Sequence, residues 1–289
     1  MKRLSISVLA LSALGLFFAL SQFTRSSTAQ SGNFNGPINA RPAATPVKPV
    51  TPPKHPLDKG DFKVGFSPIS RAQQPKKAMP KDEAAMLQEI ATSLNELIAL
   101  PRDVYLNFDA CGEANAFYSS DTTEVTICYE LADQFEQEFK AITKDQAKID
   151  DMVGDTIMQA FFHELGHCLI DVLDLPATGR EEDAVDQLAT ILILDGSPEG
   201  RRSAINAALE FNLASRDTDP NDMAFWDEHS FSKTRFYDML CLVYGSDPKS
   251  MKSIIGPDGL PEERAVRCTQ EYERAEKAWM RLLEPFIIK

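Results

Sequence analysis

Apolar positions repeat at helical spacing through the second half of the chain and at strand spacing only in short patches ahead of it. Ala84, Ala85, Leu87, Ile90, Leu94, Leu97 and Ile98 trace an amphipathic helix that opens near Lys81 and is stopped by Pro101. Val104, Leu106 and Phe108 then alternate as a strand, and Val125 and Ile127 form a second, ending in Cys128-Tyr129-Glu130. Upstream, Asp61-Phe62-Lys63-Val64-Gly65-Phe66 alternates and predicts a first strand, which places the start of the folded domain near residue 60. Helical patterns follow at about 131–142, 150–173, 181–194, 200–214, 232–244 and 262–284. A few strands followed by a long run of helices predicts an α+β domain, with a small sheet against one helix and a mostly helical C-terminal half.

Composition separates the N-terminus from this domain. Lys2 and Arg3 precede an apolar run over residues 4–20, and Ser27 and Ala29 are the small residues expected before a secretory cleavage after Ala29. The run is slightly long for a signal and short for a membrane span. It is read as a cleaved signal, residues 1–29, with retention as a single anchor the alternative. No cysteine follows it, which excludes a lipoprotein anchor. Residues 30–59 read as an extended Pro-rich tether, since residues 30–80 hold ten of the eighteen prolines and few large apolar side chains. Either fate of the leader puts the domain, residues 60–289, in the periplasm or outside the cell. A membrane is a partner only if the leader stays attached.

The net charge of −13 is unevenly spread, with +9 over residues 1–80 and −22 beyond them. An acidic body repels phosphate backbones and argues against nucleic acid as a partner. The five cysteines lie beyond the leader, where an exported chain can keep disulfides. Loop length favours Cys111 with Cys128, around a hairpin, and Cys241 with Cys268, around a helix–loop–helix. Cys168 is left unpaired.

The chemistry lies in His163-Glu164-Leu165-Gly166-His167. Four residues apart on a helix, the two imidazoles project from one face about 6 Å apart along the axis. That spacing lets both reach one zinc ion at about 2.0–2.1 Å. Glu164 sits on the neighbouring edge, where it can accept a proton from a water that zinc acidifies to a pKa of about 7. Gly166, costly in a helix by about 1 kcal/mol against Ala, predicts close packing against the helix back. A third ligand must come from elsewhere. Ile170 and Leu173 stand where an extended motif would carry its glycine and third histidine, and Asp171 is too far along the axis for its short side chain. The next helix begins Glu181-Glu182-Asp183-Ala184-Val185-Asp186. Glu182 is read as the third ligand, with Asp186 holding a histidine N–H. Glu181, rotated about 100° from Glu182, is the rival.

A His-Glu-x-x-His helix followed by a Glu-x-x-x-Asp helix resembles the gluzincin group of zinc peptidases, although the gap from His167 to Glu182 is short for that group. More narrowly, four stretches resemble a bacterial family assigned as metallopeptidases within a domain of unknown function. They are Cys111-Gly112-Glu113-Ala114-Asn115-Ala116-Phe117-Tyr118, Ile127-Cys128-Tyr129-Glu130, the His163-to-His167 helix and Tyr244-Gly245-Ser246-Asp247-Pro248, and the likeness covers roughly residues 60–285. The resemblance implies a zincin-like fold, in which residues 125–129 would either pair with an extended substrate or form an ordinary core strand. It also implies a later histidine that donates to the developing oxyanion; His229 is the candidate and Arg235 the alternative donor. The expectation is an exported zinc metallohydrolase acting on peptides or proteins, with Glu164 as its base. The rival is a binding or assembly module of the cell envelope that keeps the fold, with or without the zinc, and has no turnover.

Overall fold

The computed structural model describes residues 55–73, 79–216 and 226–288. The signal and almost all of the tether lie outside these residues. Four strands form one sheet: β1 (Phe62–Val64), β2 (Val104–Asp109), β3 (Ala116–Ser119) and β4 (Glu124–Cys128), in the order β1-β2-β4-β3. The first two pairings are parallel and the β3–β4 hairpin is antiparallel, with Tyr118 opposite Val125.

Eight α-helices are present among the described residues: α1 (Pro68–Gln73), α2 (Lys81–Leu97), α3 (Tyr129–Phe139), α4 (Gln146–Val172), α5 (Glu181–Ile193), α6 (Pro198–Ala214), α7 (Ser232–Ser246) and α8 (Glu262–Leu283). The class is α+β, with a small sheet and a mostly helical C-terminal half. The short α1 falls in a stretch whose prolines and lysines hide its pattern. The first strand is narrower than its alternation suggested, because Gly65 turns the chain at a positive φ of 112°.

Helix α4 is the axis of the molecule. It packs on β3 and β4 from one side and on α3, α5 and α6 from the others. Its middle, residues 152–159, is buried on every side, and its apolar side chains are not confined to one stripe. Leu165, Leu169 and Ile149 are fully buried with Leu106, Ile127 and Leu188 in one continuous core. Asp155, also fully buried, accepts hydrogen bonds from Ser203 Oγ at 2.7 Å and Asn206 Nδ2 at 2.8 Å and so ties α4 to α6. Ser197 caps α6 by accepting from the Gly200 amide at 2.9 Å, ahead of Pro198 in the first turn.

Gly166 has a definite reason to be glycine. A Cβ there would stand 2.8 Å from both Cβ and Cγ1 of Val185, so its absence lets α5 lie directly against α4. The disulfides join Cys111 to Cys128 and Cys241 to Cys268, and Cys168 is free and buried. The first closes the β3–β4 hairpin and the second links α7 to α8. No described helix is long and apolar enough to cross a membrane.

Of the two readings of residues 125–129, the core strand holds. Residues 125–129 cannot pair with an extended substrate, because β4 lies between β2 and β3, all five of its residues are buried, and Tyr129 already opens α3. The edge strand on that side of the sheet is β3, which spacing alone did not reveal.

Candidate metal centre

The close packing of α4 on α5 brings the first turn of α5 opposite the two histidines of α4. His163 Nε2 lies 3.0 Å from Glu182 Oε2, and His167 Nε2 lies 3.2 Å from Glu182 Oε1. His229, from the segment just before α7, places its Nε2 2.9 Å from Glu182 Oε2. Three imidazoles from two separate parts of the chain therefore meet one carboxylate.

Each ring is also held from behind. His163 Nδ1 faces Asp186 Oδ1 at 2.8 Å, His167 Nδ1 faces Glu181 Oε1 at 2.7 Å, and His229 Nδ1 faces Asp227 Oδ1 at 3.2 Å. A carboxylate on Nδ1 fixes ring orientation and raises the basicity of the opposite nitrogen. Glu181 and Glu182, adjacent in sequence, thus serve opposite sides of His167, as their rotation about the helix axis dictates. Arg235, the alternative oxyanion donor, is committed elsewhere. Its Nε and Nη2 donate to Asp186 at 2.6 and 2.7 Å, and its guanidinium stacks 4.1 Å from the Phe211 ring centroid.

The electrostatics follow from this cage. Burial alone would lower the pKa of His163, but the Asp186 and Glu182 carboxylates outweigh it and lift the group to about 9. Burial works against the charge on Glu182, and hydrogen bonds from the three histidines hold its carboxyl well below the usual range. Asp186 is held down to about 2 against its burial by His163 and Arg235. Glu164 moves the other way, since burial raises its pKa more than the nearby histidines lower it.

Glu164 Oε2 accepts the backbone N–H of Tyr118 on β3 at 2.8 Å. Sequence reading missed this contact. The aromatic pair Phe117-Tyr118 between Asn115 and Ser119-Ser120-Asp121 was the available sign of a strand there. The Tyr118 hydroxyl in turn donates to Asp171 Oδ2 at 2.5 Å, which also accepts from Arg102 Nη2 at 2.6 Å. Asp171, one turn beyond His167, thus fastens the edge strand to α4. A second contact found only in the structure is Ser230 Oγ donating to Asp183 Oδ1 at 2.6 Å, which ties the His229 segment to α5.

The donor set suits a divalent metal of borderline softness. Imidazole and carboxylate are zinc's ordinary ligands; the ligand atoms of His163, Glu182 and His229 lie within 4.8 Å of one another, a group that leaves out His167, whose Nε2 is 3.2 Å from Glu182 Oε1. Among the described residues one other grouping has ligand-like spacing, Cys111, Cys128 and Glu130. Its cysteines form a disulfide, so no thiolate is available. A cavity of about 490 Å³ opens between α5, α7 and α8, where it shares Asp186 and Arg235 with the centre. Neither His163, Glu164, His167 nor Glu182 lines it, so the chemistry is not housed there.

No curated protein and no solved structure matches the chain. Residues 68–283, which hold every side chain of the centre, match the family DUF4344, described as "Putative metallopeptidase", and the chain belongs to that family.

Proposed function

We propose that the protein is an exported, zinc-dependent peptidase of zincin-like architecture, with the metal held by His163, His167 and Glu182. The observation that carries this reading is the convergence of imidazole Nε2 atoms on Glu182, each ring backed by its own carboxylate. Membership of a metallopeptidase family supports hydrolysis of peptide bonds. Two disulfides suit an oxidising compartment.

A zinc ion in this set supplies Lewis acidity, both lowering the pKa of a water and polarising a carbonyl. The remaining work falls to the chain's own residues. Glu164 takes the proton released by the water and delivers it to the leaving amine nitrogen. Its Oε2 is engaged by the Tyr118 N–H, so Oε1 carries the proton. Because β4 is interior, the extended substrate would lie along β3, whose backbone adjoins Glu164.

Glu164→Gln tests the assignment. The variant should retain one zinc per chain and lose turnover of a peptide library, because Glu164 is a base and not a ligand. Loss of the metal in this variant, or full turnover with it, would overturn the reading. Metal binding without turnover in the native protein would leave the binding-module alternative.

A further inference from the structure

His229 stands in the same relation to Glu182 as the two helix histidines do. Its Nε2 lies 2.9 Å from Glu182 Oε2, against 3.0 Å for His163 and 3.2 Å for His167 to the carboxylate's other oxygen. Its Nδ1 is held by Asp227, as theirs are by Asp186 and Glu181. The His229 and His163 rings are nearly parallel, 21° apart with centroids at 6.1 Å. We propose that His229 is a fourth protein ligand, closing the metal's shell at rest and leaving it when substrate enters. This rests on the functional reading above and adds a regulatory step to the same site.

The separations fit a ligand. Donors at about 2.0–2.1 Å from a tetrahedral zinc stand about 3.3 Å from one another. A group that only donates to the oxyanion sits a further hydrogen bond out, at about 2.7–3.1 Å from that oxygen and so about 4 Å or more from the ion. The ligating atoms of His163, Glu182 and His229 all lie within 4.8 Å of one another, and the His229–Glu182 separation is no longer than the His163–Glu182 one. His229 therefore stands as near the ligand carboxylate as His163 does.

The proton arrangement agrees. Asp227 Oδ1 accepts both the backbone N–H of His229 at 2.8 Å and the ring at Nδ1. A carboxylate there keeps the proton on Nδ1, and the metal takes the place of the Nε2 proton, as for the other two rings.

The three rings differ in freedom. The His163 side chain is 6% exposed and fixed in the core helix, whereas that of His229 is 43% exposed and lies on a short segment before α7. Of the three rings it is the one that a side-chain rotation alone, leaving the Ser230–Asp183 tie in place, would carry toward solvent. With His229 turned outward, one position of the shell would open for the water that Glu164 deprotonates.

X-ray absorption on the zinc-loaded full chain counts imidazoles without any variant. Three are expected, with one oxygen donor, and two would overturn the proposal. Cobalt(II) substitution gives a second measure. The native spectrum should be four-coordinate and indifferent to azide, while His229→Ala should shift to an open site that azide perturbs. The variant should also bind zinc at least about tenfold more weakly, since outer partners of ligands alone are worth 10–100-fold. Identical spectra and affinities would return His229 to a non-ligand role while leaving the functional reading intact. Failure of the native chain to take up stoichiometric metal would end both.

Discussion

Gly166→Ala isolates the packing on which the centre depends. The new Cβ would meet Cβ and Cγ1 of Val185 at 2.8 Å and its Cα at 3.4 Å, where carbon contacts normally settle near 3.5–4.0 Å. Val185 is fully buried, and its branched side chain has essentially one rotamer in a helix, so it cannot turn aside. Helix α5 must therefore retreat by about 1 Å. In stability the effects oppose each other. Alanine gains about 1 kcal/mol of helix propensity over glycine, and overpacking costs typically about 1–3 kcal/mol, leaving a net loss of about 0–2 kcal/mol. The site is the sharper readout. Glu182 is one turn before Val185 and Asp186 is next to it, so the same displacement acts on contacts of 2.8–3.2 Å to the histidines. Misplacement of about 1 Å costs on the order of 10² in turnover, and zinc affinity measured by chelator competition should fall at least about tenfold, the lower bound for disturbing the partners of a ligand. Adding Val185→Ala removes the Cγ1 contact but keeps the Cβ contact, so it should restore affinity only in part. Native zinc affinity in Gly166→Ala, together with an unchanged or raised urea midpoint, would refute the argument that this glycine sets the helix spacing.

Three further outcomes are expected. Glu182→Ala should strip zinc from the chain, whereas Glu181→Ala should weaken it only about 10–100-fold, as for the partner of a ligand; metal analysis showing the reverse order would move the ligand by one residue. Glu210 is buried beside Glu138, and burial together with that neighbour's charge pushes its pKa up to about 8 from an ordinary 4.5. The native state therefore binds more protons than the unfolded chain between these values, and stability falls as pH rises through that window. Glu210→Gln should remove this slope and raise stability at pH 7 by up to about 3 kcal/mol; urea melts at pH 5 and pH 7 that keep the native slope would refute it. Replacing Cys111 and Cys128 together by alanine opens a loop of sequence separation 17 and should cost about 3 kcal/mol on chain-entropy grounds, measured by thermal melts with and without reductant.

The sequence by itself determined the parts that depend on local periodicity. Helical spacing located α2 to α8 to within a few residues, because their apolar faces repeat every three to four positions. The same periodicity put His163 and His167 on one face and separated Glu181 from Glu182 by rotation. Loop length was enough to pair the four bonded cysteines, since each pair flanks one hairpin of strands or helices. Tertiary structure decided whatever depends on order across the sheet or on contacts between distant segments. Alternation marks β2 and β4 equally well and carries nothing about which strand is an edge, so residues 125–129 read equally as a substrate strand or a core strand until β3 was seen outside β4. The Tyr118 amide reaches Glu164 across 46 residues, and Arg235 reaches Asp186 across 49. His229 meets Glu182 from a segment that Ser230 fastens to Asp183. A backbone N–H or a solvent-side histidine has no periodic signature, and the free energy that positions it comes from packing that local sequence does not encode.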